Sequence, residues 1–543
     1  MIFLSTLILS IFITIALVPL FTRLAIKVRA MDIPDERKVH QHPIPRSGGI
    51  AMALGVLVPV IFWVHGDEFI RAALIGTGIV VLFGFIDDFK NLGYKTKFAG
   101  QVCAALIVIF YGGVKINCLG MLLPDGFLLP DWFAVPLTLL AIVGVTNAVN
   151  LADGLDGLAG GICILIFICM SYLAYRCGNI AIAVVSVAVI GAIFGFLRFN
   201  TYPASLFMGD SGSQFLGFLA ITLSLGLTQG HTPLSPLVPL LLLGFPVLDT
   251  LFVMMERVAG GRSPFTADKN HFHHKLIRLG FFHTEAVFVI YVIQVFFVTS
   301  AFIFRFYSEW FLLALYVIFS GVILSGFLIA DRTGWQLRRR EIMILKGRLQ
   351  LLKDKNILIK ISFRIVESGL PALLIFTCFL PANIHQYFSF LALGFMGLII
   401  VTWLIKKEWF GNALRLSLYL MIPVIVYIGE PDMAPWMNEN LIRFYNLSFG
   451  VMAVFVILTL KFTRRKKGFK TTPMDFLILF VALVVPNLPD PHIHSYHLGL
   501  LAAKIIVLFF SFEVLMGELR EKFNRLGVFT LAALGIVVVR GLV

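Results

Sequence analysis

Solid apolar runs of about 17 to 22 residues recur from one end of this chain to the other. At 1.5 Å of rise per residue each is long enough to cross a hydrocarbon layer about 30 Å thick. Of the 543 residues, 59% are hydrophobic and only 14% charged, and the mean hydropathy is +0.93. That leaves too little polar surface for a water-soluble body of this size. In a bilayer the backbone must satisfy its own hydrogen bonds, and a barrel would show alternating rather than continuous apolar sequence. The reading is an all-α, polytopic transmembrane bundle.

Spans are expected near 2–22, 48–64, 69–86, 98–112, 132–149, 158–175, 180–197, 213–229, 235–255, 286–304 and 310–330. If the loop after the first span is inside, fifteen Lys and Arg fall in inside loops and four (Arg71, Lys115, Arg176, Arg305) outside. Basic residues concentrate on the cytoplasmic side, so the N-terminus is placed outside. The first run lacks a basic start and a small-residue cleavage site, and reads as a membrane helix rather than a signal peptide. Residues 332–361 are rich in Lys and Arg, with apolar residues at helical spacing, and read as a basic amphipathic linker on the inner surface. Beyond it, residues 362–543 hold about seven further runs, near 364–382, 387–405, 413–429, 444–461, 474–486, 496–516 and 526–540. The expected organisation is a domain over 1–331, the linker, and an extension of unassigned role, with about eighteen spans in all.

The net charge of +14 resides in short loops between spans, which argues for membrane topology and against a nucleic-acid partner. Six cysteines without a CxxC pair argue against a disulfide framework or structural zinc.

A carboxylate near hydrocarbon costs several kcal/mol and is seldom there without a task. Polar residues interrupt the apolar sequence at five places, all on the inner side. The third span ends GFIDDFKNLGYKTK, placing Asp87 and Asp88 beside Lys95 and Lys97. Paired acids there can hold a hard cation or take a proton, and lysines can hold phosphate; alone, such a pair can also simply mark topology. After the fifth span comes NAVNLADGLDGLAGG, with Asn147, Asn150, Asp153 and Asp156 between glycines that let backbone approach a ligand. A polar interhelical turn is the bland alternative. The segment RFNTYPASLFMGDSGS carries Asn200, Asp210, Ser211 and Ser213, and Asp210 alone could be an ordinary helix N-cap. The ninth span carries Asp249 and runs into Arg257, Arg262, Asp268, Lys269 and the histidines His271, His273 and His274. These could bind zinc, yet the neighbouring cations fit a polyphosphate better. The first inside loop adds Asp32, Asp35, Arg37, Lys38, His40, His42, Arg46 and Ser47, a composition that a solvated loop also explains. Oxygen donors without thiolates favour Mg2+ or Mn2+ shared with phosphate. A diphosphate meeting a lipid at the membrane surface is the simplest chemistry that uses all five segments.

In order and wording, DD, NAVNLADGLDGL, FMGDSGS and the HFHH loop resemble the polyprenyl-phosphate N-acetylhexosamine-1-phosphate transferases of glycosyltransferase family 4, over roughly residues 1–330. The resemblance implies transfer of a sugar-1-phosphate from a UDP-sugar to undecaprenyl or a related polyprenyl phosphate, with release of UMP and a need for Mg2+. By the same resemblance Asp210 is the metal aspartate, with Asp153 also in the metal set. Asp87 deprotonates or orients the lipid phosphate beside Asp88, and Lys97 contacts phosphate. The turn of Asp153, Gly154, Leu155 and Asp156, with Phe207 opposite, holds the uracil; Asn150 and Asn200 complete the nucleotide site. His271, His273 and His274, with Arg262, close over diphosphate and sugar. HFHH after SPFTADKN is closer to the O-antigen-initiating branch than to the peptidoglycan branch, which favours a plain UDP-N-acetylhexosamine, GlcNAc by default. The implied setting is a bacterial cytoplasmic membrane with the site facing the cytoplasm, and the implied partners are a second copy or downstream glycan-assembly enzymes.

The rival class is a transporter or flippase for lipid-linked glycans. It would place acids near the midplane of several spans, whereas only Asp249 lies well inside one.

Overall fold

A computed structural model describes residues 2–28, 30–32, 43–90, 92–124, 126–230, 232–264, 270–336, 357–405, 407–429, 433–462, 498–519 and 523–542. Arg37, Lys38, His40, His42, Asp268, Lys269, most of the basic linker and the span expected at 474–486 lie outside these residues. Among the described residues the protein is all-helical apart from a pair of two-residue strands, β1 (Met31–Asp32) and β2 (Ile44–Pro45). Twelve helices there are long and apolar enough to cross a membrane. They fall into two compact units, one over residues 1–339 and the other over most of the remainder.

The first unit contains α1 (Ile2–Val28), α2 (Gly48–Trp63), α3 (Glu68–Lys90), α4 (Tyr94–Phe110), α5 (Asp131–Ala152), α6 (Leu158–Arg176) and α7 (Ile180–Asn200). It continues through α8 (Gly209–Thr228), α9 (Val238–Leu242), α10 (Gly244–Ala259), α11 (Phe272–Arg278), α12 (His283–Ile303) and α13 (Glu309–Thr333). Nearly every side chain of α8 is buried, and α2, α3, α5 and α6 pack around it. Small residues permit that approach, because helices in lipid associate by close packing rather than by exclusion of water. A Cβ placed on Gly84 of α3 would lie 2.5 Å from the Ser211 Cα of α8.

The sequence places a continuous ninth span at 235–255. The structure corrects this to two helices, α9 and α10, broken at Leu243. Pro246 supplies no backbone N–H, and Gln294 of α12 satisfies the groups freed at the break. Its Nε2 donates to the Leu242 carbonyl at 2.7 Å, and its Oε1 accepts from the Phe245 N–H at 3.2 Å. A broken helix persists at membrane depth only where other protein groups meet its backbone in this way.

The second unit contains α14 (Ile357–Phe379), α15 (Gln386–Ile405), α16 (Lys407–Gly429), α17 (Glu439–Phe462), α18 (Leu498–Leu519) and α19 (Asn524–Leu542). Its core gathers Leu370, Leu414, Ile422, Leu508, Phe512 and Leu534. All six cysteines of the chain are free thiols.

Candidate active site

The termini of α3, α4 and α8 meet in the first unit. α3 delivers Asp87 and Asp88 in its last turn, both buried. α8 begins at Gly209, whose φ of +71° turns the chain so that Asp210 lies in the first helical turn, where the exposed N–H groups favour a carboxylate. Asp210 is therefore a first-turn acid rather than the N-cap, which is Met208. The Asp88 carboxylate accepts from the Asp210 N–H at 2.8 Å, the Ser211 N–H at 3.2 Å and the Ser211 hydroxyl at 2.9 Å. It thereby fixes the turn that presents Asp210. Lys97, in the first turn of α4, places its Nζ 2.5 Å from Asp87 and 2.8 Å from Asp210. One ammonium thus holds together two carboxylates that would otherwise repel.

The FMGD segment is held from its other side by the loop before α2. The Phe207 N–H donates to the Pro45 carbonyl at 2.9 Å, and the Phe207 carbonyl accepts from Ser47 at 3.2 Å and Gly48 at 3.0 Å. Arg46 forms an ion pair with Asp32 across the β1–β2 pair.

The DGLDG turn follows α5. Asn150 accepts from the Ser213 hydroxyl of α8 at 2.5 Å. Buried Asn200 accepts from the Gly157 N–H at 2.9 Å and donates to the Leu206 carbonyl at 2.8 Å, tying this turn to the FMGD segment. Asp156 accepts from the Ala204 N–H at 2.9 Å. Asp153 is half-buried. Burial first, then the charges of Asp210, Asp156 and Asp88 against the opposing pull of Arg46, push its carboxyl up to about 7. Leu155 is buried, and its carbonyl accepts from the Leu158 N–H at 3.0 Å.

Asp249 of α10 is buried and accepts from His271 Nδ1 at 2.9 Å and the Phe272 N–H at 2.8 Å. The His271 and His273 rings are nearly parallel, with centroids 5.9 Å apart, and His274 lies 4.2 Å from His273. His273 packs directly on Gly154, where any Cβ would overlap its ring. Burial, then the neighbouring His274, His271 and His283, hold His273 well below the usual histidine range, so it is neutral near pH 7. Arg262 is exposed in the turn after α10.

The acids, Lys97, Asn150, Asn200, Phe207 and the histidines therefore come from distant segments into one region. Sequence reasoning missed Gln101, Gln214 and Tyr291. Gln101 donates to Gln214 at 2.9 Å and accepts from Asn147 at 2.6 Å, joining α4, α8 and α5 behind the carboxylates. Buried Tyr291 donates to the Gly157 carbonyl at 2.7 Å. Amides inside apolar runs were a usable signal, of the same kind that singled out the acids.

No set of three His, Cys, Asp or Glu side chains that could hold a metal ion occurs among the described residues. The donor chemistry nonetheless fits a hard cation: Asp87, Asp88, Asp153 and Asp210 offer only oxygens, and Mg2+ usually keeps water and phosphate oxygens for much of its shell.

The profile of Glycosyl transferase family 4 matches residues 70–228, which hold the paired aspartates, the DGLDG turn and Asp210. A Bacillus subtilis (strain 168) protein named "Probable undecaprenyl-phosphate N-acetylglucosaminyl 1-phosphate transferase" is 37% identical over 330 residues, 60% of this chain and 91% of the relative. The Escherichia coli (strain K12) "Undecaprenyl-phosphate alpha-N-acetylglucosaminyl 1-phosphate transferase" is 31% identical over 349 residues, 62% of this chain and 93% of the relative. The "Decaprenyl-phosphate N-acetylglucosaminephosphotransferase" of Mycolicibacterium smegmatis is 35% identical over 307 residues, 50% of this chain and 74% of the relative. With its aspartate pair, DGLDG turn and FMGD segment brought together and near-full-length relatives above 30% identity, the chain belongs to glycosyltransferase family 4, among the polyprenyl-phosphate N-acetylhexosamine-1-phosphate transferases.

Proposed function

We propose that this protein transfers N-acetylhexosamine-1-phosphate, GlcNAc by default, from a UDP-sugar to undecaprenyl or a similar polyprenyl phosphate, releasing UMP. The observation that carries the reading is Lys97 held between Asp87 and Asp210 while Asp88 fixes the Asp210 turn. Residues 1–331 are the catalytic part in this reading. The distribution of Lys and Arg among the loops supports a cytoplasmic membrane location with the site facing the cytoplasm. The step would open cell-envelope polysaccharide synthesis.

An oxygen of the lipid phosphate attacks the sugar-bearing phosphorus in line. The new P–O bond forms as the bond to the bridging oxygen breaks, and that oxygen leaves with UMP. Asp87 orients the lipid phosphate and takes its proton where one is present. Lys97 lies within reach of both Asp87 and Asp210, where its ammonium stabilises charge on the transferring group. Asp210 and Asp153 would hold Mg2+, which when bound neutralises charge on the diphosphate oxygens. Asn150, Asn200, Phe207 and the turn from Asp153 to Asp156 hold the nucleotide. His273, neutral and seated on Gly154, donates a hydrogen bond to the diphosphate or accepts one from a sugar hydroxyl without adding charge.

The test is release of UMP by purified protein given undecaprenyl phosphate, Mg2+ and a panel of UDP-sugars, beside Asp210→Ala. Release that depends on one UDP-N-acetylhexosamine, the lipid, Mg2+ and Asp210 supports the reading and names the sugar. Well-folded protein that releases no UMP with any donor would overturn it in favour of transport by the whole chain.

A further inference from the structure

The second unit has a cavity of about 450 Å³ between α14, α18 and α19. Its wall is mostly apolar, from Pro371, Leu515, Leu526 and Phe529. Among the described residues, polar groups also line it: Glu367 and Ser368 of α14, and Asn524 and Arg525 in the first turn of α19. Glu367 is half-buried, whereas Arg525 and Asn524 are exposed. An apolar slot with a small number of placed polar groups, at this volume, is the usual form of a small-molecule site.

The charges identify the class of occupant. Among the described residues that line the cavity, Glu367 and Arg525 carry the only charges and sum to zero, so there a dianionic or more highly charged headgroup would leave the carboxylate facing like charge. A neutral headgroup with separated positive and negative ends matches both residues. Arg525 and Asn524 present N–H donors at a helix N-terminus, the favoured place for a phosphate. A half-buried carboxylate such as Glu367 suits a primary ammonium, which donates up to three hydrogen bonds. The volume accommodates a headgroup and the first part of an acyl chain, the rest lying in the bilayer. We propose that this cavity binds one phosphatidylethanolamine-class lipid, its phosphate on Arg525 and Asn524 and its ammonium on Glu367.

The full chain would be placed in nanodiscs of equal parts phosphatidylethanolamine, phosphatidylcholine and phosphatidylglycerol, extracted into detergent, and examined by native mass spectrometry. One retained phosphatidylethanolamine is expected. Phosphatidylcholine, whose quaternary ammonium has no N–H, and anionic phosphatidylglycerol should be retained about tenfold less. Glu367→Gln should abolish the preference for ethanolamine over choline, and Glu367→Asp should keep part of it. Arg525→Gln should lower retention of both zwitterionic lipids, with Arg525→Lys restoring it in part. Equal retention of all three lipids, a preference for phosphatidylglycerol, or no response to either substitution in protein of unchanged melting temperature would overturn the proposal. So would occupancy that appears only when a lipid-linked sugar is supplied, because the cavity would then bind that product instead.

Discussion

Asp249 and His271 are 22 positions apart in sequence, yet His271 Nδ1 lies 2.9 Å from a carboxylate oxygen of Asp249, with both side chains buried. The second Asp249 oxygen accepts from the Phe272 N–H, so one side chain on α10 sets both the ring and the backbone of the histidine segment. The acid that looked most like a transporter residue, being deep in a span, is instead the anchor of a loop.

Asp249→Asn keeps the shape but weakens that hold. Turnover should fall about 10- to 100-fold, as when a group that orients an active-site ligand is altered, while the melting temperature changes little. Asp249→Ala should also destabilise the protein, because it leaves the Phe272 N–H and His271 unpaired in a buried place. UMP release and thermal unfolding, measured on the same preparations, separate the two effects.

Lys97→Met removes the cation between Asp87 and Asp210. The rate should drop at least about 100-fold, the scale of losing one preorganised electrostatic contact. Mn2+ should bind more tightly to the variant, since two carboxylates then lack their ammonium. Weaker Mn2+ binding, followed by electron paramagnetic resonance, would show that Lys97 supports rather than competes with the metal.

Gly209→Ala places a methyl group on the Asp88 carboxylate at a φ of +71°. Backbone strain alone costs about 1–2 kcal/mol, and the turn carrying Asp210 must shift. Loss of both activity and stability is expected. Gly154→Ala, by contrast, pushes first on the buried His273 ring and should lower activity more than it lowers the melting temperature.

Asp153 and His273 each contribute to the pH dependence of stability without divalent metal. The fold raises the Asp153 carboxyl from 3.8 to about 7, so between those values the folded protein holds a proton that the unfolded chain has lost. Its contribution is present below about pH 4 and is lost as pH rises to about 7. For His273, with its pKa lowered from 6.5, the unfolded chain takes up a proton first, so stability falls as pH drops below about 6.5. Asp153→Asn should flatten the decline between pH 4 and 7, and His273→Gln should flatten the loss on the acid side. Melting temperatures across pH in chelator-treated protein report both.

The sequence by itself determined the class of structure. Membrane helices are written locally, since about 20 apolar residues must become a helix wherever they meet lipid, and helices stand where apolar runs were read at 2–22, 158–175 and 286–304. It also selected the residues that gather at the site, because a polar group beside hydrocarbon is costly enough to be conspicuous in a single chain. What only the tertiary structure decided is partnership. That Lys97 lies between Asp87 and Asp210, that Asp249 anchors His271, and that Gln294 mends the break between α9 and α10 all depend on how helices distant in sequence pack. Hydropathy reports where a residue sits relative to the membrane, whereas a hydrogen bond requires distance and direction to a second group, and those arise only when the helices are brought together.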